Sequence, residues 1–228
     1  AFSNVLSTQI QANWTEGAPG SPATAYELQA STDANFTGVV TSSLTYNLFV
    51  SSSGLAAGTT HYFQVRAINK NGVATGFVSL ASTSTLAQAP ANPTFNTPPP
   101  TSSTIRLDWF GGSNGAATRY TALISTAADP SAPAGAVVSS SVTFNTFVST
   151  AGLNANTTYY FSVKATNNNG VITSTVSAST STLASDPVAG AFGAILATQI
   201  TANWTDGSPA TPALSYELQA STDSGFVG

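Results

Sequence analysis

The chain has 228 residues, a net charge of −4, charged residues at only 6%, and neither cysteine nor methionine. Cysteine's absence excludes a disulfide framework and a thiolate metal site. No run of about 18 apolar residues occurs, so this segment contains no membrane-spanning helix. Against a usual charged share of about 25%, the surface is wetted by hydroxyls and amides; serine and threonine fill more than a quarter of the positions. Such a surface repels its neighbours weakly.

Strands show themselves by alternating apolar and polar residues between turn residues. In the first stretch Ile10, Ala12 and Trp14 share one face, with Gln11, Asn13 and Thr15 on the other. A loop carrying Gly17, Pro19, Gly20 and Pro22 follows. Tyr26, Leu28 and Ala30 then alternate with Glu27, Gln29 and Ser31, and shorter apolar runs lie at 39–40 and 48–50. Residues 60–69 turn Phe63, Val65 and Ala67 inward against Gln64 and Arg66. Asn71-Gly72 predicts a hairpin of type I′, whose two central residues both need positive φ. Residues 77–83 supply the closing strand. About seven short strands and no sustained 3.6-residue period predict an all-β sandwich.

The plan recurs. Ile105, Leu107 and Trp109 open a second unit; Tyr120, Ala122 and Ile124 follow, then 144–148, then Tyr159, Phe161, Val163 and Ala165, with a matching Asn169-Gly170 hairpin. Residues 198–228 repeat residues 8–38 at about two thirds of positions, supplying Ile200, Ala202 and Trp204, then Tyr216, Leu218 and Ala220. Trp14, Trp109 and Trp204 fall at intervals of 95 residues. Self-similarity at a fixed period marks an array. The expected division is 1–88, 89–185 and an incomplete third unit at 186–228 with its first three strands, in a chain expected to be a piece of a longer polypeptide.

The residues that carry a family resemblance are these tryptophans, the following-strand tyrosines Tyr26, Tyr120 and Tyr216, and the matched runs LAAGTTHYFQVRAIN (55–69) and LNANTTYYFSVKATN (153–167). They resemble fibronectin type III domains of the bacterial, extracellular kind. The resemblance implies tandem immunoglobulin-like β-sandwiches, two complete and one truncated, and is nearly silent on function. It places a tyrosine corner at Tyr159, six residues after Leu153, whose hydroxyl bonds back to upstream backbone. The first unit has His61 there, six residues after Leu55, and it is the only histidine. His61 is expected to pack as a substitute corner. Trp14, Trp109, Trp204, Tyr26, Tyr120, Tyr216, Tyr159, His61, Leu55 and Leu153 are the expected structural core. Tyr62 and Tyr160 alternate with inward residues and are candidates for lateral contacts between molecules.

The junctions at 85–90 and 182–187 are short and end in Pro90 and Pro187. Proline fixes φ and restricts its predecessor, so a semi-rigid rod is expected. The proline run 97–101 and the irregular stretch 127–135 are loops within the second unit.

No nucleophile–histidine–acid set can be assembled around the single histidine. The nine acids are scattered, and Glu27 and Glu217 hold one repeat position, unlike a catalytic carboxylate pair. Asp33 and Asp223 sit in matching turns that aspartate favours, without the oxygen cluster calcium needs. No phosphate-cradling loop occurs. Arg66, Lys70, Arg106, Arg119 and Lys164 form no stripe, which disfavours nucleic acid. Neither cofactor nor catalysis is expected. Asn13, Asn35, Asn156 and Asn203 open Asn-x-Ser/Thr triplets, the acceptor pattern for glycan modification. The expected function is structural: a secreted or cell-surface bacterial protein whose serial sandwiches build a stalk, sheath or filament, with neighbouring copies of the same chain as partners. The alternatives are an adhesin that recognises a surface ligand, or spacer domains of a larger secreted polysaccharide-active enzyme.

Overall fold

Strands with one apolar side are stable when two sheets close over a common core. The structure, a computed structural model, describes residues 1–17, 23–38, 40–95, 98–128 and 137–226. Among the described residues all elements are strands. Pro19, Gly20, Pro22, Val39, Thr97 and residues 129–135 of the second unit's irregular loop lie outside them.

In the first unit, β1 (Phe2–Ser3), β2 (Gln9–Asn13) and β5 (Phe49–Ser53) form one sheet; β3 (Ala25–Ser31), β4 (Val40–Thr45), β6 (Thr60–Ile68) and β7 (Val78–Ser84) form the other, in the order β4-β3-β6-β7. Ile10 and Ala12 of β2 meet Tyr26, Leu28 and Ala30 of β3, Phe63 and Val65 of β6, and Leu55. Phe2 fastens β1 to this core, its ring centre 5.1 Å from that of Phe63.

The second unit repeats the two sheets. β8 (Ala91–Thr94), β9 (Thr104–Phe110) and β12 (Phe147–Ala151) make the smaller; β10 (Arg119–Ser125), β11 (Val137–Thr143), β13 (Thr158–Thr166) and β14 (Val176–Ser181) make the larger. Its core gathers Ile105, Leu107, Trp109, Tyr120, Ile124, Leu153, Tyr159, Phe161 and Val163. Phe95 stands in for Phe2, with its ring centre 5.3 Å from that of Phe161.

Both hairpins form, but not as type I′ turns. Positive φ occurs at Gly72 (76°) and Gly170 (81°), and at neither Asn71 nor Asn169. Gly72 N donates to Asn69 O, and Asn69 N to Val73 O, each at 3.0 Å; Gly170, Asn167 and Val171 repeat the pattern. This is a three-residue loop, a turn closed by one glycine in the left-handed region. Asn69 explains the choice. Its side-chain oxygen accepts from Asn71 N and Val73 N, both at 2.9 Å, which stabilises the longer loop.

β7 differs from β14 by one inserted residue. The pairing with β6 slips between Phe63 and Gln64, Ala81 takes φ 75°, and Leu80 turns toward the core. β14 pairs with β13 in unbroken register.

The third unit departs from expectation. Its described residues form only paired two-residue strands: β15 (Val188–Ala189) with β18 (Trp204–Thr205), and β16 (Ile195–Leu196) with β17 (Gln199–Ile200). Residues 216–220, read as a third strand, are not one. Trp204 is 38% and Tyr216 39% exposed, so neither sits in a core. In the first unit the Tyr26 strand is held between β4 and β6. No described residue of the third unit takes either place, and an unpaired strand gains too little to order.

Candidate functional site: corners and joints

The aromatic pair at the centre of each unit survives in all three. Ring centres lie 5.6 Å apart for Trp14–Tyr26, 5.4 Å for Trp109–Tyr120 and 5.8 Å for Trp204–Tyr216. Trp109 is buried at 5% exposure, whereas Trp14 is partly exposed and packs against its core from beyond the end of β2. Leu55, Leu153, Tyr26 and Tyr120 are buried. Tyr62 and Tyr160 are half-buried. They lie between serines of the neighbouring strands, Ser31 and Ser82 for Tyr62, Ser125 and Ser179 for Tyr160.

Tyr159 is 2% exposed, and its hydroxyl accepts from Asn154 N at 2.9 Å. His61 is also buried, at 4%. Burial pushes its pKa below the usual histidine value, opposed in part by the hydrogen bond it donates to the Ala56 carbonyl. Its Nε2 has no partner. The histidine therefore replaces a satisfied hydroxyl with one ring nitrogen bonded and one stranded, and stranding a buried polar atom costs about 1–3 kcal/mol.

Charges lie on the outer faces. Arg66 pairs with Glu27 across the sheet at 2.6 Å and stacks over Phe77. Burial raises the Glu27 carboxyl, but Ser42, Arg66 and Gln29 outweigh it and hold the group below the ordinary glutamate range. Arg106 likewise grips Asp108 and lies over Phe147. Asp33 is held low by hydrogen bonds from Thr37 and Asn35 within its own turn. No group of three metal-ligating side chains occurs among the described residues. Of the Asn-x-Ser/Thr asparagines, Asn35 is exposed, while the Asn13, Asn156 and Asn203 amides donate to Ala1, Pro212 and Ala191 carbonyls.

The densest polar arrangement is the joint between the first two units. Asn114, in the loop after β9, clamps the connector: Gln88 N donates to Asn114 Oδ1 (2.7 Å), and Asn114 Nδ2 to Gln88 O (2.9 Å). Ser113 N donates to Gln88 Oε1 at 2.9 Å. Gly115 N reaches across to Ala57 O at 2.8 Å. The β13–β14 hairpin adds three asparagines. Asn167 Nδ2, in a residue 1% exposed, donates to Thr85 O at 3.0 Å. Asn168 and Asn169 donate to the Thr60 and Thr83 hydroxyls, each at 2.9 Å.

Three glycines admit this approach. A Cβ at Gly58 would strike Thr118, one at Gly112 would strike Gln88, and one at Gly115 would strike Thr59. Glycine is the residue that lets two backbones come this close. The sequence reading attributed stiffness to the junction prolines and missed these side chains. The recoverable signal was a glycine three residues after each tryptophan (Gly17, Gly112 and Gly207), with an asparagine-rich tip on the second unit's hairpin.

Against known proteins, residues 1–79 match the model of the fibronectin type III domain. The first unit is thus similar to a fibronectin type III domain. The second shares its strand order and sheet pairing. A two-domain fibronectin type III segment of chicken tenascin superposes with a TM-score of 0.55 at 14% identity, covering 80% of this chain and 97% of that one. The FN1–FN3 domains of chicken CNTN1 give 0.36 at 15% identity, with 80% of this chain and 64% of that one covered. No curated protein matches the chain. At such identities the likeness is one of fold: tandem fibronectin type III sandwiches.

Proposed function

We propose that the chain is a structural array: a rod in which fibronectin type III sandwiches in series set length and stiffness, serving as a stalk, sheath or filament outside a bacterial cell. The observation that carries this reading is the first joint. It fastens two successive units through both the connector and a hairpin distant in sequence. Bonds from Asn114, Gly115 and Asn167 to Gln88, Ala57 and Thr85 oppose bending in more than one direction. A flexible linker would leave those groups to water. The low charge and the hydroxyl-rich surface suit lateral packing between rods, with Tyr62 and Tyr160 as candidate contacts on the outer faces. Division at about residues 88 and 185 belongs to the same reading.

Small-angle scattering and residual dipolar couplings on the chain test it. One common alignment tensor for the first two units, with an extended scattering profile, is the expected outcome. Independent tensors would refute the rod. Concentration-dependent assembly of native material, followed by light scattering, separates a filament from a solitary stalk.

A further inference from the structure

Three Asn-Gly pairs occur in the sequence: Asn71-Gly72, Asn114-Gly115 and Asn169-Gly170. The last two lie in the joint between the first and second units. The joint itself calls for the pair at 114–115. Asn114 accepts from Gln88 N and donates to Gln88 O. An amide side chain does both, whereas a carboxylate has no donor. The next residue passes directly against the first unit: Gly115 N donates to Ala57 O at 2.8 Å, and a Cβ on Gly115 would strike Thr59. The clamp therefore demands an amide at 114, and the close approach demands glycine at 115.

That pairing is chemically labile. Asparagine is a thermolabile residue, and glycine, with no Cβ, leaves its backbone nitrogen open to the preceding side chain. The Gly115 nitrogen attacks Cγ of Asn114. The new C–N bond closes a succinimide ring, the Cγ–Nδ2 bond breaks, and the proton from the attacking nitrogen leaves with Nδ2 as ammonia. Water then opens the ring at either carbonyl, giving aspartate or isoaspartate. No electrons are transferred, and water is the only co-reactant.

In the closed joint every reacting group is engaged. The attacking nitrogen is bonded to Ala57 O, and the oxygen and nitrogen of the amide are bonded to the Gln88 backbone. All these bonds run to the first unit or its connector, so the second unit loses them together when it swings away. Asn169 is held across the same joint at one atom, its Nδ2 on the Thr83 hydroxyl, while Gly170 N stays on Asn167 O within its own loop.

We propose that Asn114-Gly115 is a self-modification site gated by the joint: docking of the two units protects it, and it cyclises when they part. The product disables the clamp. Aspartate has no donor for Gln88 O, and isoaspartate also lengthens the main chain by one carbon. A joint that stays open is thereby marked for good. The site goes beyond the rod reading, since it needs only this joint, in a stiff or a jointed array alike.

The test incubates the whole chain near neutral pH in increasing, sub-denaturing urea. Peptide mapping reads conversion at each Asn-Gly pair, and hydrogen exchange of the Gly115 amide reads opening. Conversion at Asn114, taken as a ratio to Asn71 at the opposite end of the first unit, should rise in step with Gly115 exchange, because both need the open joint. Thr60→Val combined with Thr83→Val removes the hydroxyls that hold Asn168 and Asn169, not those bonded to Asn114. It should raise conversion at Asn114 about fivefold. A level ratio while exchange rises overturns the proposal, as does an Asn114 that stays intact in the fully unfolded chain. Asn114→Asp reproduces one product outside both cores; it should speed Gly115 exchange about tenfold and keep each unit's melting temperature. Protection that survives Asn114→Asp overturns the disabled clamp.

Discussion

Trp14 and Trp109 hold the same repeat position, each against a tyrosine from the next strand, yet one is partly exposed and the other buried. The difference does not lie in the tryptophans or their immediate partners. It lies in the connector, which lays Pro90 and Ala91 over the second unit's site and has no described counterpart over the first. The corner contrasts in the same way. Tyr159 accepts a backbone hydrogen bond, whereas His61 leaves a nitrogen stranded. In one fold, then, the second unit's corner is satisfied where the first unit's is short of a partner.

The largest test of that contrast is a pair of substitutions. Trp109→Ala should destabilise the second unit by about 3–5 kcal/mol, the usual range for removing a fully buried aromatic. Trp14→Ala, starting from a partly solvated ring, should cost the first unit about 2 kcal/mol. Denaturant unfolding with each unit's transition resolved compares the two, and equal losses would break the comparison. Next comes the joint. Gly58→Val strains a residue at φ 59° and drives a side chain into Thr118; it should cost about 1–3 kcal/mol and give the two units separate alignment tensors. Asn114→Ala should loosen the connector with a smaller loss, about 1 kcal/mol.

The corner gives the third test. His61→Tyr should raise the first unit's stability by about 1 kcal/mol, the value of one net hydrogen bond, visible as a higher melting temperature. A related pH effect is smaller. Burial holds the His61 pKa below 6.5, so the folded unit binds fewer protons than the unfolded one in mildly acid solution. Its stability is therefore full above about pH 6.5 and falls as pH drops below that value. The first transition should move down between pH 7 and 5, and His61→Tyr should remove that part of the movement. A drop of equal size in the variant would assign the acid sensitivity to other groups.

Much of this was legible in the sequence because period-two alternation is a direct imprint of burial on a strand. The parity of Ile10 and Ala12, and of Ile105, Leu107 and Trp109, placed those residues in the cores where they lie. What escaped has physical causes. The hairpins were read from Asn71-Gly72 alone, but Asn69, two residues earlier, accepts the two N–H groups that shape the loop. Trp204 and Tyr216 carry the right pattern, but alternation reports a preference for burial and cannot supply the opposing sheet. The joint was invisible because its bonds join residues as far apart as Thr60 and Asn168, and asparagines on a turn look the same whether they face water or a neighbouring unit.

The extra residue in β7 has a further consequence. Both β7 and β14 are edge strands, each with one side unpaired. The kink at Ala81 spoils β7 as a template, since a bulged edge cannot hold an added strand in register. β14 has no such defect; it offers water a straight run of valine, alanine, serine and threonine without a single lysine or proline to repel a newcomer. Of these two matching edges, β14 is therefore the better template for an added strand, although its unit is the better packed of the two.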